Sequence, residues 1–192
     1  MQMHQISLQS TIIGFTFGFL LIDTPRLAAQ SNCQSVDDAM NKVVTSPTHI
    51  YGTMSPVANT DGEPRTDEAI HTETIYVGGS AYTKVGGRWS RGGWTPQQVM
   101  KQEQENRQKS KYTCRYLRDE SVNGETAAVY ATHSERDGQE SVGQIKSDGQ
   151  VWISKSRGLP LRQELDIDSG RKSGKHHHSV RYEYGNVQPP QM

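Results

Sequence analysis

Polar and apolar residues alternate in twos along much of this chain. Ser179 to Asn186 sets Val180, Tyr182 and Tyr184 on one side against Ser179, Arg181 and Glu183 on the other. Leu161 to Asp168 sets Leu161, Leu165 and Ile167 against Arg162, Glu164, Asp166 and Asp168. A period of two predicts antiparallel strands with one dry and one wet face. Turn chemistry between such runs predicts hairpins. Tyr112–Asp119 and Glu125–Ser134 are joined at Asn123-Gly124, a pair that takes the positive φ angles of a tight turn. Gly78-Gly79 joins Ile70–Val77 to Ala81–Val85, and Gly pairs bracket Arg88–Arg91 with Trp89 inside. Asp148-Gly149 reads the same way, as a turn between Gly143–Lys146 and Gln150–Ser154. Thr48–Met54 is the first strand, followed by a polar loop over Pro56–Glu68. Another polar loop, with Arg171, Lys172 and Lys175 before His176, His177 and His178, leads into the last strand.

Two helices interrupt the alternation. In the first, Val36, Ala39, Met40 and Val43 fall at i, i+3, i+4 and i+7; Ser35 is the expected cap, with Asp38 at capping-box spacing, and Pro47 the stop. The second spans Trp94 to Ser110. Thr95 is its cap, Pro96 its first residue and Gln98 the capping-box partner, with Trp94 placed to staple onto Val99. Glu103 with Arg107 and Glu105 with Lys109 form i,i+4 pairs. Beyond Val99 and Met100 this helix has no apolar stripe, so it is expected on the surface as a flap at the rim of the sheet. Together these elements predict an α+β fold, an antiparallel meander with covering helices.

The first thirty residues differ from the rest. Ile12 to Ile22 is an apolar run too short to span a bilayer comfortably, ended by Asp23, Pro25 and Arg26 and followed by Leu27-Ala28-Ala29-Gln30-Ser31. This pattern predicts a signal peptide over 1–30, with an uncleaved anchor as the alternative. One half-barrel domain over 31–187 and a tail over 188–192 follow. Export makes a Cys33–Cys114 disulfide the expected state of the only two cysteines, against two unrelated thiols. The bridge would pin the first helix to the sheet, because Cys114 lies between Tyr112 and Tyr116 on an apolar strand face.

Charge is balanced, 21 basic side chains against 21 acidic ones, which removes the electrostatic case for nucleic acid or an anionic membrane surface. All three phenylalanines lie before residue 31, so the domain's core has to come from Tyr, Trp, Val, Ile, Ala and Met. The rings are spread over nearly every strand. Tyr76, Tyr82, Tyr112, Tyr116, Tyr130, Trp152, Tyr182 and Tyr184 are either core or the lining of a concave ligand surface. Trp94, Val99 and Met100 are the lid candidates. Consecutive His176, His177 and His178 cannot converge on one ion, and a solvated basic loop accounts for them; His49, His71 and His133 read as exposed or hydrogen-bonded. Glu164, Asp166 and Asp168 read as a wet sheet face rather than a catalytic pair. No metal site, cofactor or catalytic residue is expected.

Val151-Trp152-Ile153-Ser154-Lys155-Ser156-Arg157-Gly158-Leu159-Pro160-Leu161-Arg162 and the closing Tyr182-Glu183-Tyr184-Gly185-Asn186-Val187 resemble motifs of the lipoprotein-carrier superfamily (LolA/LolB-like). The resemblance implies an unclosed half β-barrel partly covered by helices, used there to hold hydrophobic ligands in the bacterial envelope. The resulting expectation is a soluble periplasmic protein, not an enzyme, that binds a partly apolar small molecule or a lipid-linked partner. A cavity-less envelope module for protein–protein contact is the alternative.

Overall fold

The computed structural model describes residues 33–58, 68–137, 144–170 and 174–192; the leader expected over 1–30 lies outside them. In chain order the elements are α1 (Gln34–Thr45), β1 (Thr48–Ala58), β2 (Ile70–Val77), β3 (Ser80–Val85), β4 (Arg88–Arg91), α2 (Pro96–Gln108) and β5 (Ser110–Val122). They continue as β6 (Glu125–Asp137), β7 (Gln144–Ser154), β8 (Pro160–Asp168) and β9 (Lys175–Tyr184). The strands form one antiparallel sheet of nine, in the order β4-β3-β2-β1-β9-β8-β7-β6-β5. Neighbours in the sheet are neighbours in sequence everywhere except at the β1–β9 seam.

The edge strands β4 and β5 are not paired with each other, so the sheet is unclosed. They are nevertheless consecutive in the chain, joined through α2. Across a flat sheet that path would be roughly 38 Å at about 4.8 Å per strand. The 13 residues of α2 cover roughly 20 Å at about 1.5 Å per residue, and extended flanking residues bring the connection close to the flat-sheet distance. The curl is shown by α1, which contacts β2 and is disulfide-bonded to β5, two strands six positions apart in the sheet and roughly 29 Å apart if it were flat at about 4.8 Å per strand. The sheet curls around its helices, and α2 connects its two edges.

α1 lies inside that curl. Val36, Ala39 and Val43 are buried, the first two against Cys33, Cys114, Val151 and Ile153 and the third against Val180 and Tyr182. The Cys33–Cys114 disulfide is formed, with Cα atoms 5.0 Å apart, and ties the start of α1 to β5. At the other end, the Thr48 hydroxyl lies 2.9 Å from the carbonyl oxygens of both Val43 and Ser46, which share its one proton, fixing the turn into β1. A second, smaller apolar cluster of Ala127, Val129, Trp152 and Leu161 sits on the opposite face of the sheet. A polar clamp secures the β7–β8 turn. Glu125 accepts from the Arg157 guanidinium, Ser154 and Ser156, which hold its carboxyl far down, at about 2.

Three local expectations are corrected. Asp148-Gly149 is not a turn: β7 runs unbroken through it, paired with β6 on one side and β8 on the other. Here glycine serves close approach, since a Cβ at 149 would stand 2.1 Å from the Glu164 carbonyl oxygen. The three histidines belong to strand β9, held between β1 and β8, because two flanking partners satisfy their backbone where a solvated loop would not. Ser35 does not cap α1. The helix starts two residues earlier, capped at Cys33, whose carbonyl accepts from Asp37 N–H at 2.8 Å, because the disulfide fixes Cys33 in position.

Candidate functional site

Residues paired across antiparallel strands share a face, which sorts the candidate rings. Tyr76 and Tyr184 flank Thr48, Tyr182 flanks Ile50, and Tyr116, Tyr130 and Val151 are aligned; all these, with Tyr112, face the helices. Tyr82 pairs with Ile75, and Trp152 with Arg162, on the face turned away. The eight rings therefore do not line one surface. Tyr112 and Tyr130 pack against α1 and the disulfide, filling that part of the curl. Tyr116 meets Tyr130 edge-on at 5.8 Å but remains exposed, donating its hydroxyl to Asp119 at 3.0 Å.

Beneath α2 a chamber of about 190 Å³ remains. Met40 and Val43 of α1, Val99 and Met100 of α2, and Ile50, Tyr76 and Tyr182 of the sheet make its walls. Of the lid candidates, Val99 and Met100 thus face the interior, whereas Trp94 is 54% exposed ahead of the helix. The capping box fixes the helix start: Thr95 Oγ1 accepts from Gln98 N–H at 3.3 Å and Gln98 Oε1 accepts from Thr95 N–H at 2.7 Å. Arg107, expected to pair with Glu103 along its own helix, instead reaches Asp37 of α1 and lies 5.5 Å from the Tyr112 ring centre. It latches one helix to the other. Burial raises the Asp37 carboxyl, opposed by the attraction of Arg107.

The phenols of this region are held neutral. Burial is the main cause for Tyr76, Tyr112, Tyr182 and Tyr184, all raised above their ordinary value, Tyr182 and Tyr184 far above it. Tyr182 donates to Gln163 at 3.1 Å and Tyr184 to the Pro160 carbonyl at 2.6 Å. With its hydroxyl committed to Gln163, Tyr182 presents mainly ring surface to the chamber. The chamber thus offers apolar contact, with Glu103 and Arg107 its charged lining.

A larger cleft, about 660 Å³, lies on the opposite face. Tyr51, Glu73, Arg162, Glu164 and Arg181 line it, with Val122 and Asn123 of the β5–β6 turn. Alternation places Arg162 and Arg181 on wet strand faces. Their meeting across β8 and β9 depends on register, for which the sequence carries no local signal. The isolated histidines are hydrogen-bonded: His49 to Glu73 at 3.0 Å, His71 to Thr53 at 3.1 Å and His133 to Asp148 at 2.7 Å. Among the described residues no group of three or more His, Cys, Asp or Glu side chains is arranged to hold a metal ion.

No protein-family model matches the chain, and no curated protein matches it in sequence. Among solved structures it is similar to the lipoprotein LppX of Mycobacterium tuberculosis, at 8% identity and a TM-score of 0.40, covering 81% of this chain and 97% of that one. LprF from Mycobacterium bovis matches at 11% identity and a TM-score of 0.39, over 83% and 94% of the two chains. MucB matches at 13% identity and a TM-score of 0.36, over 83% of this chain and 61% of its own.

Proposed function

We propose that this chain is a non-catalytic binding protein of the periplasm, holding one slender apolar group in the chamber beneath α2. The observation that carries the reading is the chamber itself: apolar walls from two helices and the sheet, covered on one side by a helix that is otherwise polar. Two further features support it. The disulfide belongs to an oxidising compartment. Only Pro96 of α2 is buried, so the strap can lift at small cost in apolar contact. The volume limits the ligand: about 190 Å³ is below the roughly 300–1,000 Å³ of sites for drug-sized molecules, so a single chain or side-chain-sized group fits.

That same small volume favours a second reading, in which the interior is filled by the protein's own rings and the molecule acts as a protein–protein interaction module. Titration with a fluorescent single-chain fatty acid separates the two. The first reading expects saturable binding, weakened about tenfold or more by Val99→Trp, which fills the chamber. Absence of binding, together with native mass spectra of envelope-purified protein that show no small molecule, would leave the second.

A further inference from the structure

On the face turned away from the helices, one row of side chains crosses four neighbouring strands. Register pairs Trp152 with Arg162, Arg162 with Arg181 and Arg181 with Tyr51, giving the order ring, cation, cation, ring. Two like charges directly opposite each other on adjacent strands repel. Here they are nonetheless held in place. The Arg162 guanidinium lies 4.9 Å from the Trp152 ring centre and that of Arg181 lies 4.2 Å from Tyr51. The rings are fixed in turn. Trp152 is buried and donates Nε1–H to Glu120 at 2.5 Å, while Tyr51 stacks on His49 at 4.1 Å and donates its hydroxyl to Glu183 at 3.2 Å.

Each arginine has one carboxylate partner two residues along its own strand, Glu164 for Arg162 and Glu183 for Arg181, and each side chain stays 52% exposed. The carboxylates lining the cleft are matched elsewhere as well. Glu73 accepts from Lys84 at 2.8 Å and contacts His49 at 3.0 Å; Glu164 also contacts His177 and accepts from Ser179, both at 2.9 Å. What faces the 660 Å³ cleft with capacity to spare is the pair of guanidiniums.

We propose that Arg162 and Arg181 form a binding site for a phosphate group carried by a ligand in this cleft. One guanidinium fork already occupies both oxygens of a carboxylate. A tetrahedral phosphate has oxygens for two forks at once, and a bridging anion converts the repulsion of the pair into attraction. Stacking on fixed rings orders both forks beforehand, so little side-chain freedom is lost on binding. The amide of Asn123, on the turn that borders the cleft, is a further donor for the same ligand. The sheet itself separates this site from the chamber beneath α2, and the two assignments stand or fall independently.

The test uses the disulfide-intact protein with two probes: inorganic pyrophosphate, followed by calorimetry, and phosphatidylcholine vesicles containing phosphatidylglycerol, followed by co-sedimentation. Binding of at least one probe is expected, weakened about tenfold by Arg162→Gln and by Arg181→Gln and left unchanged by Lys101→Gln on α2. Response to pyrophosphate assigns a soluble phosphate ester; response to vesicles alone assigns a lipid headgroup. Arg162→Lys and Arg181→Lys keep the charge and remove the fork, so each is expected to bind several-fold more weakly while melting like the parent. Failure of both probes to bind, or parent-like affinity in the lysine variants, would overturn the proposal.

Discussion

His177 and His178 are adjacent in β9 and sit in opposite electrostatic settings. His177 faces Asp166 and Glu164, at 2.8 and 2.9 Å. The Asp166 contact, aided by Glu164 and opposed by some desolvation, raises its pKa. His178 faces the helix side next to Leu165 and Gly52, and burial lowers its pKa. The signs of the two stability contributions therefore differ. That of His177 is complete below the unfolded value of about 6.5 and is lost as pH rises through its raised folded value. That of His178 is complete above about 6.5 and is lost as pH falls toward its lowered folded value. An NMR titration of the ring protons is expected to place the His177 midpoint above 6.5 and the His178 midpoint below it; a shared midpoint would contradict the face assignment. The alternation of the three histidines could be read from the sequence. Their carboxylate partners could not, because Asp166 lies on another strand and only register brings it close.

At the scale of elements, α2 owes its start to local chemistry and its position to the Arg107–Asp37 pair and the inward Val99 and Met100. Removing the cap oxygen in Thr95→Ala is expected to cost about 1 kcal/mol of helix stability. Because α2 buries so little, the effect should stay local: hydrogen exchange in residues 96–108 quickens while the exchange of α1 and the melting temperature barely move. A matching drop in global melting temperature would show that the strap is integral to the core. This helix was legible in detail because Thr95, Pro96 and Gln98 act within one turn. The start of α1 was not, since a disulfide to a residue 81 positions away decides it. The Asp148-Gly149 pair misled for a related reason. Turn propensity is local, whereas the need for a side-chain-free position beneath the Glu164 carbonyl appears only once β8 is docked. Periodicity marked the faces of Tyr76, Tyr182, Val99 and Met100, whereas which rings share a surface, and the ring–cation row, needed the pairing of the strands.

For the whole molecule, the curl of the sheet and the bridge to α1 act together. Replacing both cysteines with alanine removes a constraint on a loop of 81 residues, worth roughly 4 kcal/mol on the chain-entropy model. The expected outcome is a clearly lower denaturant midpoint for Cys33→Ala/Cys114→Ala, reproduced by reducing the parent protein. An unchanged midpoint would mean that the packing of Val36 and Ala39 alone seats α1.

The seam between β1 and β9 carries a consequence for biogenesis. Among the described strands, the earliest to leave the ribosome has, as one of its two flanking partners, the last to be made, and β9 is the link between the sheet's two four-strand wings. The nine-stranded sheet cannot be complete until β9 has been made, although the strands of each wing can pair with one another before then.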